Sequence, residues 1–276
     1  MSQVPHVLVA APLADDGPDA PPVPLPATTS HHLRRVLRLT DGAPLHLTDG
    51  AGASADGRLD GDAARRTGPV TSAPRPRPRL VLAQALAKGR RVDDAVRAAC
   101  ELGVDAVVPV VADRTQGRPD ARAADAVRAR WHALAVAALE QSRGVHLTDV
   151  AAAVPSAVLA ADGPGLDGPG LDRGEEAPVL RLVAVPGAPP LPELLGDAAA
   201  VATVVVAVGP EGGWSDDEVA AFTAAGWLPA GLGPTVLRTE HAGPAAVAVA
   251  AGLAGRWSAA PGATLRARPS RSPGTL

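Results

Sequence analysis

Tyrosine is absent from the 276 residues, and phenylalanine, cysteine and methionine occur once each. A single cysteine, Cys100, excludes a disulfide framework. No Cys/His group has the spacing of a zinc site. His31 and His32 are adjacent and point in different directions on a helix, so no metal is expected. Long apolar runs are missing too: Ala198–Val208 is free of charge and proline but too short to span a bilayer. The start, MSQVPHVLVAAPLADD, has no basic residue ahead of its apolar stretch, unlike a secretory signal. A soluble, cytoplasmic chain with no membrane contact is expected. Lysine is nearly absent as well, since Lys88 is the only one among 26 basic residues.

What is present is a globular composition, 46% hydrophobic and 20% charged, which excludes overall disorder. The length suits two domains or one large one. The net charge of −3 argues against a nucleic-acid partner until it is divided along the chain. Residues 31–130 carry 18 basic and 12 acidic side chains, whereas 131–258 carry 5 and 14. Such segregation is compatible with a basic binding face on the first part, and equally with solvated surface.

Residues 1–72 read as short apolar segments broken by Asp41-Gly42, Asp49-Gly50, Asp56-Gly57 and Gly61-Asp62 at hairpin-like intervals. One helix, about Ser30–Leu39, would turn Leu33, Val36 and Leu37 to one side. A small, mostly β domain is expected over 1–72, and the proline-arginine run within 73–79 reads as an extended linker. From residue 80 to 258 strands alternate with helices. Strands are expected in RLVLAQAL, Asp105–Val111, Val179–Val185 and Thr203–Val208. Helices are expected over Val92–Leu102, about Asp120–Ser142, from Asp216, and up to about Trp257. That alternation implies an α/β fold, a mainly parallel sheet with helices on both faces. The doubled DGPGL of 162–171 reads as an exposed loop, and 259–276 as a disordered tail.

Two blocks carry the chemistry. In TVVVAVGPEGGWSDDE a strand runs into Gly209-Pro210-Glu211-Gly212-Gly213, and Ser215 with Glu218 makes a capping box that opens a helix. Glycines there let the backbone approach a ligand closely at the carboxyl end of a strand. The pattern is neither G-x-G-x-x-G nor a P-loop, so dinucleotide and NTP binding are unsupported. In GLGPTVLRTEHAGP a second glycine turn leads to Arg238-Thr239-Glu240-His241, with Pro244 suited to the first turn of the last helix. Arg238 and Glu240 could simply pair with each other. A two-sided ligand cleft accounts better for both loops. Lys88-Gly89, Arg114 beyond ELGVDAVVPV, and Glu140-Gln141-Ser142-Arg143 are less specific, and Cys100 reads as packing.

HHLRRVLRL, KGR, ELGVDAVVPV, LEQSRG, VGPEGGWSDDE and LGPTVLRTEHA occur in the order found in the RsmE family, which the chain resembles over about residues 5–257. Its members are bacterial 16S rRNA (uracil-N3) methyltransferases. The resemblance implies a SPOUT-type trefoil-knotted α/β domain and an N-terminal PUA-like β-barrel. It further implies a homodimer, S-adenosylmethionine as methyl donor, and 16S rRNA in the small ribosomal subunit as partner. The donor would lie against Val185 and Pro186, against Gly209, Pro210, Glu211, Gly212 and Gly213, and against Leu232, Gly233, Val236, Leu237, Arg238 and Thr239. Arg238 is expected to stabilise charge on a uracil carbonyl oxygen, and Glu211 to take or relay the N3 proton. RNA phosphates would meet Arg34, Arg35, Arg38, Lys88, Arg90, Arg114 and Arg143. The chain departs from the family at Trp214, usually Phe, and at His241, usually a hydroxyl residue. Two rivals remain open: another SPOUT enzyme with a different RNA target, and a non-catalytic RNA-binding protein with a degenerate knot.

Overall fold

The computed structural model describes residues 4–14, 21–87, 89–117, 119–163, 178–196 and 200–257. Lys88, most of the DGPGL repeat and the 259–276 tail lie outside the described residues.

The first part of the chain builds β1 (His6–Leu8), β2 (Val23–Pro24), α1 (Ala27–His31), β3 (Pro44–Thr48), β4 (Ala53–Asp60), β5 (Ala63–Arg66) and β6 (Thr71–Ser72). They form one sheet in the order β1-β3-β4-β5-β2, with β6 on β4; only β1 and β3 pair in parallel. Its two ends approach each other, since the Ala10 amide donates to the Pro24 carbonyl at 3.2 Å. Alternation decides which side is packed. In β4, Ala55, Gly57 and Leu59 are buried while Asp56 and Arg58 are exposed.

Two expectations for this region are corrected. Asp56-Gly57 is not a turn but lies inside β4, where a Cβ on residue 57 would come 2.7 Å from Leu47 Cδ1. The glycine answers to close packing, not to a bend. The expected helix over Ser30–Leu39 is α1 followed by a wider, π-helical turn, His32–Val36, in which the Leu37 amide donates to His32 O at 3.0 Å. That wider turn keeps Leu33 in the core but carries Val36 and Leu37 to the surface, 61% and 44% exposed.

The second part alternates as expected: β7 (Arg79–Ala85), α2 (Arg91–Glu101), β8 (Ala106–Val111), α3 (Ala121–Ser142), β9 (Asp149–Val150), β10 (Val154–Pro155), α4 (Ser156–Asp162), β11 (Val179–Ala184), α5 (Leu191–Leu195), β12 (Thr203–Val208), α6 (Asp216–Ala224), β13 (Leu228–Ala230) and α7 (Thr239–Leu253). The sheet order is β10-β8-β7-β12-β11-β13, with β9 also on β8, and every pairing is parallel. Both faces are covered. Leu80 and Leu82 of β7 pack with α2, α3, α5 and α7, whereas Val81, Ala83 and Ala85 pack with α4 and α6. Each fully buried leucine contributes roughly 1.5–3 kcal/mol relative to exposure. Val92, Ala95, Val96 and Ala99 are buried as α2's periodicity predicts. Cys100 is buried too, and burial pushes its thiol up to about 11, so it packs rather than reacts.

Three boundaries differ from expectation. Arg79 belongs to β7 rather than to the linker and is buried. The last helix stops at Leu253, where Gly255 at φ 68° helps turn the chain toward Trp257. Pro244 lies in the second turn of α7, not the first, because the helix already begins at Thr239. Its missing N–H leaves the Glu240 carbonyl without a helical donor.

The two sheets meet at a seam. His6 Nε2 donates to Gly144 O at 2.8 Å, the Leu8 amide donates to Glu140 Oε1 at 3.2 Å, and the Gly52 and Leu147 amides donate to Val145 O and Gly50 O.

Candidate active site

A parallel sheet sends all its carboxyl-terminal loops to one edge, and there open α/β sheets bind ligands. Here the loops after β7, β8, β11, β12 and β13 enclose a cavity of about 680 Å³. All thirteen residues expected around the donor line it, from Val185 and Pro186, through Gly209 to Gly213, to Leu232, Gly233 and Val236 to Thr239.

Local chemistry holds these loops in place. Ser215 caps α6 by accepting from the Glu218 amide at 3.1 Å, and Glu218 Oε2 accepts from the Ser215 amide at 2.8 Å, which is the capping box read from sequence. The same buried carboxylate reaches further, accepting from the Asp113 amide at 2.9 Å, while Ser215 Oγ donates to Asp113 Oδ2. Arg114 Nη1 donates to Gly212 O at 2.8 Å. The loop after β8 is therefore bolted to the glycine loop after β12.

A second buried chain ties the opposite side. Gln84 Nε2, near the carboxyl end of β7, donates to Thr239 Oγ1 at 3.0 Å, and Thr239 Oγ1 donates to Gly209 O at 2.7 Å. Residue 243 must be glycine for this, because a Cβ there would sit 2.7 Å from Gln84 Oε1. Gln84 was not singled out from the sequence, although a lone amide in the apolar run RLVLAQAL was a usable signal. Arg91 was also missed. It lines the cavity beside Arg114 and Arg238, and nothing in its sequence position sets it apart from Arg90.

Charge in the cavity is mixed. Arg238 is 75% exposed with Nη1 3.9 Å from Glu240 Oε1, a loose pairing that leaves its guanidinium free to act. Glu211, Asp216 and Glu240 line the same space. Three acids, Asp216, Asp217 and Glu218, occupy the first turn of α6 and disfavour a polyphosphate there. Trp214 adds a neutral donor. The indole N–H groups of Trp131, Trp227 and Trp257 reach Asp93, Ala160 O and Leu102 O, but Trp214 Nε1 is buried without a partner beside Gly209. The described residues hold no cluster of His, Cys, Asp and Glu able to bind a metal, and no helix among them is long and apolar enough to cross a membrane.

The residues expected on RNA separate. Arg114 belongs to the cavity. Arg35, Arg38 and Arg90 are exposed, Arg38 with φ 55° just after the π-helical turn. Arg34 is partly engaged, bonding Gly61 O and Asp41 Oδ1, and Arg143 Nη2 donates to Val4 O at 2.9 Å.

Comparison with known proteins gives this geometry a family. The RNA methyltransferase domain matches residues 74–251. A ribosomal RNA small subunit methyltransferase E from Synechocystis sp. is 32% identical over 232 residues, covering 82% of this chain and 71% of that protein. Its counterpart from Mycobacterium tuberculosis is 33% identical over 238 residues, covering 83% and 85%. The crystal structure of a ribosomal RNA small subunit methyltransferase E from Neisseria gonorrhoeae, bound to S-adenosyl methionine, superposes with a TM-score of 0.73 at 27% identity, covering 91% of this chain and 98% of that one. The chain belongs to the RNA methyltransferase domain family, within its RsmE group.

Proposed function

We propose that this chain transfers a methyl group from S-adenosylmethionine to N3 of a uridine in 16S rRNA, in the small ribosomal subunit of the cytoplasm. The observation that carries the reading is the meeting of three loops, after β11, β12 and β13, at one cavity that also holds Arg238 and Glu211. The RsmE relatives support the rRNA substrate. The reading includes a SPOUT trefoil, a PUA-like barrel and a homodimer. The return of α7 from the β13 loop onto β7 and β12 supports the first, and the Ala10–Pro24 hydrogen bond supports the second.

The cavity fits the donor. Its volume is that of a small-molecule site. Gly209 lets the glycine loop fold back on itself, since a Cβ there would stand 3.2 Å from the Trp214 amide nitrogen and 3.3 Å from its indole Nε1. The unpartnered Trp214 N–H offers a hydrogen bond, and Glu211 and Asp216 suit a ligand bearing positive charge.

When bound, the donor supplies an electrophilic methyl carbon, whose bond to sulfur breaks as nitrogen attacks. Uracil N3 carries a proton and is not nucleophilic until it leaves. The Glu211 carboxylate, exposed on the glycine loop, accepts that proton. Arg238 stabilises the negative charge that then spreads onto a uracil carbonyl oxygen. The Gln84–Thr239–Gly209 chain fixes both loops relative to each other, so the base meets a prepared geometry.

Methyl transfer from labelled donor to naked 16S rRNA and to 30S particles, followed by nucleoside mass spectrometry, tests this. The expected product is 3-methyluridine. A different modified nucleoside would overturn the uracil-N3 assignment, and absence of donor binding by calorimetry would overturn the enzymatic reading itself.

A further inference from the structure

The order of the parallel strands divides the cavity. The glycine and LRTE loops follow β11, β12 and β13, on one side of the sheet order, while Arg91 and Arg114 follow β7 and β8 on the other. We infer that Arg91 and Arg114 form a phosphate grip on this second side, holding the RNA backbone next to the target nucleotide while the donor occupies the glycine side. The inference rests on the RNA methyltransferase reading above.

Arg91 stands at the first position of α2, where the helix dipole disfavours a cation. The acids of that first turn do not compensate it. Asp93 accepts from Arg130 Nε at 3.0 Å and from Trp131 Nε1 at 3.1 Å, and Asp94 accepts from Arg97 Nη1 at 2.9 Å. Among the described residues the Arg91 side chain has no hydrogen bond or ion pair, and it is exposed on the cavity wall. It is a cation kept at an unfavourable place and facing a ligand space.

Arg114 is the braced half of the pair. Its Nη1 is fixed on Gly212 O at 2.8 Å, and its Cδ would lie 3.4 Å from a Cβ on Gly212. The rest of its N–H fork remains for a ligand. Strands β7 and β8 are direct neighbours, so the helix start that carries Arg91 and the loop that carries Arg114 follow adjacent strands. Planar forks placed after adjacent strands match phosphate oxygens, to which guanidinium binds in a bidentate manner. Among the described residues no carboxylate lining the cavity lies within ion-pair distance of either one, so none of them neutralises the pair.

The test uses the full chain and the variants Arg91→Gln and Arg91→Lys. Single-turnover methyl transfer to 30S particles, anisotropy with a fluorescein-labelled uridine-containing RNA hairpin across a salt series, and calorimetry with S-adenosylhomocysteine are read together. For Arg91→Gln the expected results are a roughly tenfold or greater loss in kcat/KM for RNA, a salt slope smaller by about 1, and an S-adenosylhomocysteine Kd within about twofold of the parent. Arg91→Lys should recover the salt slope but not the full rate, because it restores charge without the fork. Unchanged RNA affinity and salt slope in Arg91→Gln would overturn the grip. So would a parallel loss of S-adenosylhomocysteine affinity, which would move Arg91 to the donor side. If the parent chain binds the hairpin but methylates nothing, the reaction assignment fails and the anisotropy series still decides the grip.

Discussion

The small sheet and the parallel sheet bury their residues by different rules, and function follows the difference. In β4 of the small sheet, exposed and buried positions alternate, so one face packs on Leu33, Leu45 and Leu47 and the other meets solvent with Asp56 and Arg58. In β7 of the parallel sheet every residue is buried, because helices cover both faces. A sheet closed on both faces has only its ends left for a ligand. Its carboxyl edge is where the glycine loops, Arg238 and the two loop-tying networks converge. The small sheet offers surface instead, and Arg35 and Arg38 stand exposed beside it.

If chemistry resides only in the parallel-sheet part, Arg238→Ala should produce the largest change. Turnover with saturating donor and rRNA is expected to fall about 10²–10³-fold, the cost of losing a donor aimed at developing charge, while S-adenosylhomocysteine affinity changes far less. Near-parental turnover in a labelled-methyl assay would remove Arg238 from its role.

A pair of core truncations sharpens the comparison at the level of stability. Leu47 and Leu82 are both fully buried, in β3 and β7. Each change to alanine should cost about 3 kcal/mol in urea unfolding. Leu82 packs within reach of Gly243, 3.1 Å from where a Cβ would stand, so its loss loosens α7 against β7 and weakens S-adenosylhomocysteine binding. Leu47→Ala should leave that binding within about twofold. Equal loss of ligand affinity in both variants would mean that the two sheets act as one unit.

The same contrast explains what could be read from the sequence. The parallel sheet announced itself because burial on both faces needs continuous apolar runs such as VVVAV, and its site because the glycines and the Ser215–Glu218 box have local causes. The small sheet is less legible. The turn expected at Asp56-Gly57 and the helical face expected for Val36 and Leu37 both failed, since close packing on Leu47 and a π-helical turn are settled by tertiary contact. Gln84 and Arg91 were missed for a related reason. Their meaning depends on Thr239, 155 residues from Gln84, and on a cavity built from five separated loops.

A smaller effect is expected on the exterior. Arg35→Gln should weaken rRNA binding severalfold and lower the dependence of log K on log salt by about one phosphate contact. An unchanged slope would mean that the exposed arginines of the small sheet do not reach RNA.

The smallest expected effect lies at the seam between the two regions. Partial burial lowers the His6 pKa from 6.5, against the opposing pull of its bond to Gly144 O. The folded chain thus holds this imidazole neutral, while the unfolded chain takes up a proton near 6.5. Stability from this group is complete above about pH 6.5 and is lost as pH falls through the folded value. His146, across the seam, is shifted the same way by burial and by Arg75. Glu140 is shifted upward by burial, so its contribution is complete while it is protonated and is lost as pH rises through its folded value. Glu140 works against the histidines wherever its raised range meets their lowered ones, and two histidines stand against one carboxyl. Thermal midpoints should therefore fall from pH 7 to pH 5. His6→Gln keeps an N–H for Gly144 O but cannot take up a proton, so its midpoint should fall less over the same interval. An equal fall would show that the seam between the sheets is insensitive to this histidine.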